Sequence, residues 1–367
     1  MPFIEELMLH NATPLFPMDS AVIAAPERVV TLPHLQSLDL STEAIRLAHV
    51  LNYLNLPNLR KIHADCTSTF ESAADVLAIL PLFSKHCHGA HDAGPLKSLI
   101  FAGGRNMVKI IAFNEPNRDH PIDNPIALLA AVFTSRITLT VTATQTGWEF
   151  GAEEKIFEST AMTLPIKDVE SFTAQDVERA FFLSWRKCMP WRNLRRFTLV
   201  GGYLFTVADS LLKNTLDESD KMQIQPSPED EESLSGLLFP QLTTLALVET
   251  DLLEYDLSMM FCDFIVARSE LGLPIQELVI LRCEVDIDML DRFRGLVPTI
   301  TWDGIERPFT DGEIDAFMGG DGLDNSDEED DDDDMPEFGG NNHLNIPDPL
   351  ISMLLHGYGL GSPPPAL

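Results

Sequence analysis

Apolar residues recur along this chain in a short tag, with a second and third apolar position three and five residues after the first. The tag reads Ile4–Leu7–Leu9, Leu35–Leu38–Leu40, Leu59–Ile62–Ala64, Leu96–Leu99–Phe101, Leu194–Phe197–Leu199, Leu242–Leu245–Leu247, Ile275–Leu278–Ile280 and Val297–Ile300–Trp302. Pro2, Pro33, Pro57, Pro95, Pro240 and Pro274 stand just upstream of six of them. Alternate residues of a strand point to one side, so each tag predicts a short strand that turns its apolar side chains into a shared core.

Between tags the period changes to that of a helix. Thr42 to Asn55 reads as one such segment, with Ser41 and Thr42 as caps, and Ser72 to Leu80 as a second that Pro81 interrupts. Asn124 caps and Pro125 opens a third through Phe133. A fourth starts at Thr173, where Asp176 imitates a capping box, and runs to Cys188. Asp256–Glu270 turns Leu257, Met260, Phe261 and Phe264 inward, and Asp286–Leu296 follows. Strand, helix, strand requires parallel crossovers. The expectation is an α/β fold: an irregular leucine-rich-repeat solenoid over 1–310, parallel strands inside and helices outside.

The interval from Leu96 to Leu194 is too wide for one turn. Ile137 to Thr144 alternates apolar residues with threonine and reads as a half-buried strand. Gln145-Thr-Gly147 reads as a turn, with Trp148–Phe150 and Lys155–Leu164 extended, which predicts a hairpin excursion over about 145–165. Residues 216–235 hold seven acids and one base, a solvated acidic loop. Residues 311–367 read as an acidic, mostly disordered tail containing the unbroken run Asp327–Asp334; within it, Ile346–Leu360 is apolar enough to dock.

Charge narrows the partners. The formal net charge is −32, and no Lys or Arg follows Arg307. Residues 308–367 hold 15 of the 57 acids, leaving 42 against 25 bases, so the body alone stands near −17. A field of that sign repels nucleic acid and anionic lipid. The longest apolar run, Ile126–Phe133, is too short to span a bilayer, and the acidic N-terminus lacks the order of a secretory signal. Five scattered cysteines imply no disulfide framework, so a cytoplasmic or nuclear location is expected.

Several stretches resemble the leucine-rich-repeat-like C-terminal region of fungal, mushroom-type F-box proteins. They are Leu32-Pro-His-Leu-Gln-Ser-Leu-Asp-Leu40, Leu56-Pro-Asn-Leu-Arg-Lys-Ile62, Trp191-Arg-Asn-Leu-Arg-Arg-Phe-Thr-Leu199 and Phe239-Pro-Gln-Leu-Thr-Thr-Leu245. The strand Ile137–Thr144 with Gly147-Trp-Glu-Phe150, and the ending Gly304–Phe309, extend the resemblance over 1–310. It implies the substrate-recognition part of a ubiquitin-ligase receptor. An F-box itself is absent from the stretches quoted, since the first tag already holds Ile4. A Skp-type adaptor is therefore expected as a partner only where an F-box precedes this chain.

If the tag positions face inward, the residues between them form a ladder on the opposite, concave face. The residues expected to meet a protein ligand there are Asp39, His63, Asp65, Arg196, Thr198, Val200, Ala246, Val248, Glu277, Val279 and Leu281. The N-terminal half of the ladder is charged. Its C-terminal half, Val200, Val248, Val279 and Leu281, is either an exposed apolar stripe that binds a partner or a surface covered by the hairpin or by Ile346–Leu360. One other cluster carries chemistry: His86, Cys87, His88, His91 and Asp92 hold enough donors for three zinc ligands, or decorate a helix end. No nucleophile elbow, phosphate loop, dinucleotide fingerprint or zincin motif occurs. The expected function is a non-catalytic protein-interaction module without a cofactor. The alternatives are a free-standing acidic scaffold for basic proteins and a metal-binding enzyme at His86–Asp92.

Overall fold

Each of the eight tags becomes a strand. The computed structural model describes residues 3–11, 23, 26–70, 73–88, 94–104, 106–116, 134–144, 148–149, 151–177, 191–201, 207–215, 238–250, 252 and 255–304. The chain divides into units Met1–Glu313 and Ile314–Leu367, and the second lies wholly outside the described residues. So do the expected helix over 125–133, the acidic loop 216–235 and the docking segment 346–360.

In chain order the strands are β1 (Glu6–His10), β2 (Val30–Thr31), β3 (Ser37–Glu43), β4 (Leu54–Asn55), β5 (Lys61–Ser68), β6 (Ser98–Ala102), β7 (Met107–Phe113), β8 (Ile137–Ala143), β9 (Ser171–Gln175), β10 (Arg196–Val200), β11 (Thr244–Val248), β12 (Glu277–Leu281) and β13 (Thr299–Trp302). All but β2 and β4 join one sheet of order β1-β3-β5-β8-β7-β6-β9-β10-β11-β12-β13. Its pairs are parallel except those on either side of β7, which is antiparallel to both β6 and β8. The fold is α/β with a mostly parallel sheet. Strands do not stack simply in chain order, because β6 skips two places and β7 and β8 return to fill them.

Helices α1 (Ala44–Asn52), α2 (Ala74–His88), α3 (Ala152–Thr163), α4 (Tyr255–Glu270) and α5 (Ile287–Leu296), with the helical residues 207–215, send their apolar side chains into one core. That core takes the tag positions of every long-sheet strand, among them Leu38, Leu40, Phe172, Phe197, Leu245 and Leu278. Aromatic rings tie its middle together. Phe172 stacks on Phe197 at 5.8 Å and meets Trp191 edge-on at 4.6 Å, while Phe157 of α3 sits 5.2 Å from Phe101. Each such pair adds about 1 kcal/mol beyond the area it buries.

Three expectations fail. The described hairpin is β6–β7, and of the residues expected to be extended within 145–165, Lys155 to Thr163 are helical, in α3. Its first turn carries Glu153 and Glu154, which suit the positive end of the helix dipole. Thr160 and Thr163, β-branched residues inside it, bond back to the carbonyls of Ile156 and Ser159. Thr173 caps no helix. It lies inside β9, and Val169–Phe172–Ala174 is a further copy of the tag, in register with Leu199 through Ala174 and with Phe197 through Phe172. Finally, α2 continues through Pro81 to His88. Pro81 is on the exposed side, and Leu80 and Phe83 around it are buried. Burial of these two side chains, at roughly 1.5–3 kcal/mol each, offsets the ~3 kcal/mol a proline costs inside a helix. At α1, Glu43 and neither Ser41 nor Thr42 is the cap residue, with no side-chain cap bond. At α5, Asp286 does cap, accepting from the Asp288 N–H at 2.8 Å.

Candidate functional site

The face opposite the helices is built from three rows of side chains that run across the sheet, because pairing keeps one parity throughout. One row begins Met8, Asp39, His63, Thr138 and continues through Ile111, Ile100 and Thr173 to Thr198, Ala246 and Val279. The next begins His10, Ser41, Asp65, Thr140, Lys109 and ends Val200, Val248, Leu281. The third places Arg196 between Ser171 and Thr244, with Glu277 beyond. All the expected ladder residues therefore share one face, but they do not share one environment.

The C-terminal half is not an exposed stripe. Thr198, Val200, Ala246, Val248 and Val279 are all buried, and Leu281 is half-buried. The physical reason is legible in composition. Phe-Thr-Leu-Val, Leu-Ala-Leu-Val and Leu-Val-Ile-Leu are nearly continuous apolar runs, the signature of strands buried on both faces. In the middle of the sheet Ile100, Ile111 and Phe113 form a separate buried cluster on this second face. At its rim Arg196 faces Glu277 at 3.8 Å, and Glu277 also accepts from Thr244 Oγ1 at 3.2 Å.

The N-terminal half is polar and open. β3 alternates half-buried Ser37, Asp39, Ser41 and Glu43 with buried Leu38, Leu40 and Thr42. Met8 is 66% exposed beside Asp39. The Asp39 carboxylate lies between two imidazoles, with Oδ2 3.5 Å from His63 Nδ1 and Oδ1 4.0 Å from His10 Nε2. The hydrogen bond from His63 holds Asp39 below the usual carboxylate range, against the opposing effect of burial. Asp65, one step along β5 on the same face, moves the other way. Desolvation raises it despite the pull of His63 and Lys109. Lys109 is itself lowered by burial, with Asp65 as the charge that favours its protonated form. One end of the face thus gathers two carboxylates, two imidazoles and an ammonium.

Lys109 was missed by sequence reasoning because β7 was missed. The alternation Val108, Ile110, Ala112 inside Met107–Phe113 is the signal that would have found it.

Of the histidine cluster at the end of α2, His86 and Cys87 have side chains within the described residues, and both are taken up by the fold. His86 is buried, its Nε2 is 3.0 Å from the Leu51 carbonyl oxygen, and burial lowers its pKa. Cys87 belongs to the core, and desolvation pushes its thiol up to about 12. Arg136 closes this helix end instead, donating from Nη2 to the Cys87 carbonyl and from Nη1 to that of Gly94, both at 2.6 Å. His91 and Asp92 lie outside the described residues. Among the described residues no three His, Cys, Asp or Glu side chains are grouped to hold a metal ion, and no helix is long and apolar enough to cross a membrane.

No family model, curated protein or solved structure matches this chain. The geometry of the face carries the functional argument alone.

Proposed function

We propose that the chain is a non-catalytic protein-binding module whose partner docks on the polar end of the face opposite the described helices, around Asp39, His63 and Asp65 with Met8 and His10. One observation carries this reading. Across β1, β3 and β5 the core side of the sheet is packed with apolar side chains. The other side keeps charged groups open to solvent in fixed rows, which a rigid scaffold can present to a partner. Charged pairs at such a surface give specificity and register more than raw affinity. By its resemblance to F-box recognition regions, the captured protein would be a ubiquitination substrate, and a Skp-type adaptor would join only through an F-box attached to this module.

A photo-crosslinking residue placed at His63, and separately at Asp291 on exposed α5, tests the reading in cells that make the protein. The expected result is one covalent partner from position 63, lost on Asp39→Asn, and none from position 291. Equal yields from both positions, or a partner indifferent to Asp39→Asn, would overturn it.

A further inference from the structure

We propose that the outer edge of β1 is a strand-addition site for an extended basic segment of a partner protein. The proposal stands on the edge itself and does not depend on the reading of the face.

Among the described strands β1 is outermost and pairs only with β3. The Glu5 carbonyl accepts from the Gln36 and Ser37 N–H groups at 2.8 and 3.1 Å, and the Asn11 N–H donates to the Ser41 carbonyl at 2.8 Å. In a parallel ladder the residues that bond one neighbour alternate. Leu7 and Leu9 therefore carry the remaining bonds to β3. Glu6, Met8 and His10 direct their N–H and C=O groups outward, and all three are exposed.

Natural edges are blunted by proline, lysine, a bulge or a short length. The segment Glu6–His10 has no proline or lysine and keeps regular register with β3 over all five residues. The core is unfinished at the same place. Leu7 and Leu9 are only half-buried, whereas their register partners Leu38 and Leu40 are fully buried. A further strand with alternating apolar residues would both satisfy the outward row and cover those two leucines.

Charge selects the occupant. Glu5 and Glu6 are exposed, Asp39 lies on the neighbouring strand, and no Lys or Arg occurs before Arg28. An added strand whose second set of side chains is cationic places lysine or arginine opposite these carboxylates, where cross-strand pairs of opposite charge are favourable. A second copy of the chain is a poor occupant, because each carries a formal charge of −32.

The test uses the full chain and a capped decapeptide alternating lysine and valine. Hydrogen exchange of the Glu6, Met8 and His10 amides, which point away from β3, is expected to slow when the peptide is added. A peptide N-methylated on every amide, which has no N–H to give the ladder from either edge, should bind at least roughly tenfold more weakly, the loss of one or two backbone hydrogen bonds. A glutamate–valine peptide should not bind. Met8→Pro removes an outward N–H that the fold does not use, and should weaken the lysine–valine peptide similarly. If that variant fails to fold, the N-methylated peptide on the native chain still decides. Four results would overturn the proposal: equal binding of the N-methylated peptide, equal binding of the glutamate peptide, protection of the Glu6, Met8 and His10 amides before any peptide is added, or concentration-dependent self-association that protects the same amides. Asp65→Asn lies two strands in from the edge and outside the carboxylates that face the added strand, so retained peptide binding in that variant separates this site from the face.

Discussion

Exchanging the glycine at the end of β10 with the aspartate facing it should expose a steric lock that repeats along the sheet. The residue following β1, β9, β10, β11 and β12 is in every case left-handed: Asn11, Asp176, Gly201, Glu249 and Arg282 have φ of 51, 49, 61, 53 and 52°. The last four are held in line by N–H donation from Asp176 to Val200, from Gly201 to Val248, from Glu249 to Leu281 and from Arg282 to the Asp303 carboxylate. Only position 201 is glycine, and a Cβ built there would collide with Asp176 Oδ1. Gly201→Ala therefore meets two costs. Left-handed backbone costs a residue with a Cβ about 1–2 kcal/mol, and the contact adds about 1 kcal/mol, the low end for overpacking, because the Asp176 carboxylate ends an exposed side chain that can turn away. The sum, about 2–3 kcal/mol, should appear as a lower urea midpoint with unchanged slope. Asp176→Gly alone removes the carboxylate and relieves its own left-handed backbone, so it should change stability by less than about 1 kcal/mol. The double variant should recover the collision part and leave only the left-handed backbone cost of a side chain at position 201. A double-mutant cycle then reads a coupling of about 1 kcal/mol in favour of the pair. Additive losses, or a Gly201→Ala variant within about 0.5 kcal/mol of the parent, would show that the contact is not there and that position 201 tolerates a side chain.

Val248→Asp tests the burial of the second face: at 2% exposure it should cost upwards of about 3 kcal/mol and lower the thermal midpoint, whereas an exposed stripe would tolerate it. The carboxyl pair should titrate apart by NMR, Asp39 below 3.8 and Asp65 above it, and a reversed order would undo the account of the cluster. For Asp39 the stabilisation is present above the unfolded value and lost as pH falls through the lower folded value. For Asp65 the sign is opposite, so Asp65→Asn should stabilise at pH 7 and lose that gain in acid below 3.8. The Cys87 and Cys262 thiols, raised to about 12 and about 11, should resist iodoacetamide in the native chain at pH 8 and react once urea unfolds it, as read by peptide mass mapping; rapid native labelling of Cys87 would contradict its burial.

The strands were legible because their signal is local. A tag such as Leu245–Leu247 fixes which side of a strand is apolar, and residue-to-residue pairing, parallel and across β7 antiparallel, then carries that parity from β1 to β12. What the tag does not encode is whether the other side meets water. Asp39, His63 and Asp65 announce an open face through their charge. Val200 and Val248 announce a covered one only through the run of apolar residues around them. Two elements were lost to competing local readings. At β9, Thr173 with Asp176 imitates a helix start, and the tertiary pairing of Phe172 with Phe197 decides otherwise. At α3, the extended reading of Lys155–Leu164 competes with strong helix formers in the helix's first turn. The helix prevails with Ile156 and Phe157 fully buried. Strand order was beyond sequence reasoning, since nothing in the local pattern of β6 says that two later strands will come between it and β5.

That order sets how the chain can emerge during synthesis. β1, β3 and β5 pair with strands already made, so the first third of the sheet can assemble as it is translated. β6 finds no partner among them, and the β5 edge stays open until β8 arrives roughly 70 residues later. The middle of the sheet must therefore close in one cooperative step. Until that step is complete, a nascent chain displays two unsatisfied strand edges, and chaperone capture or misassembly competes with folding at that point.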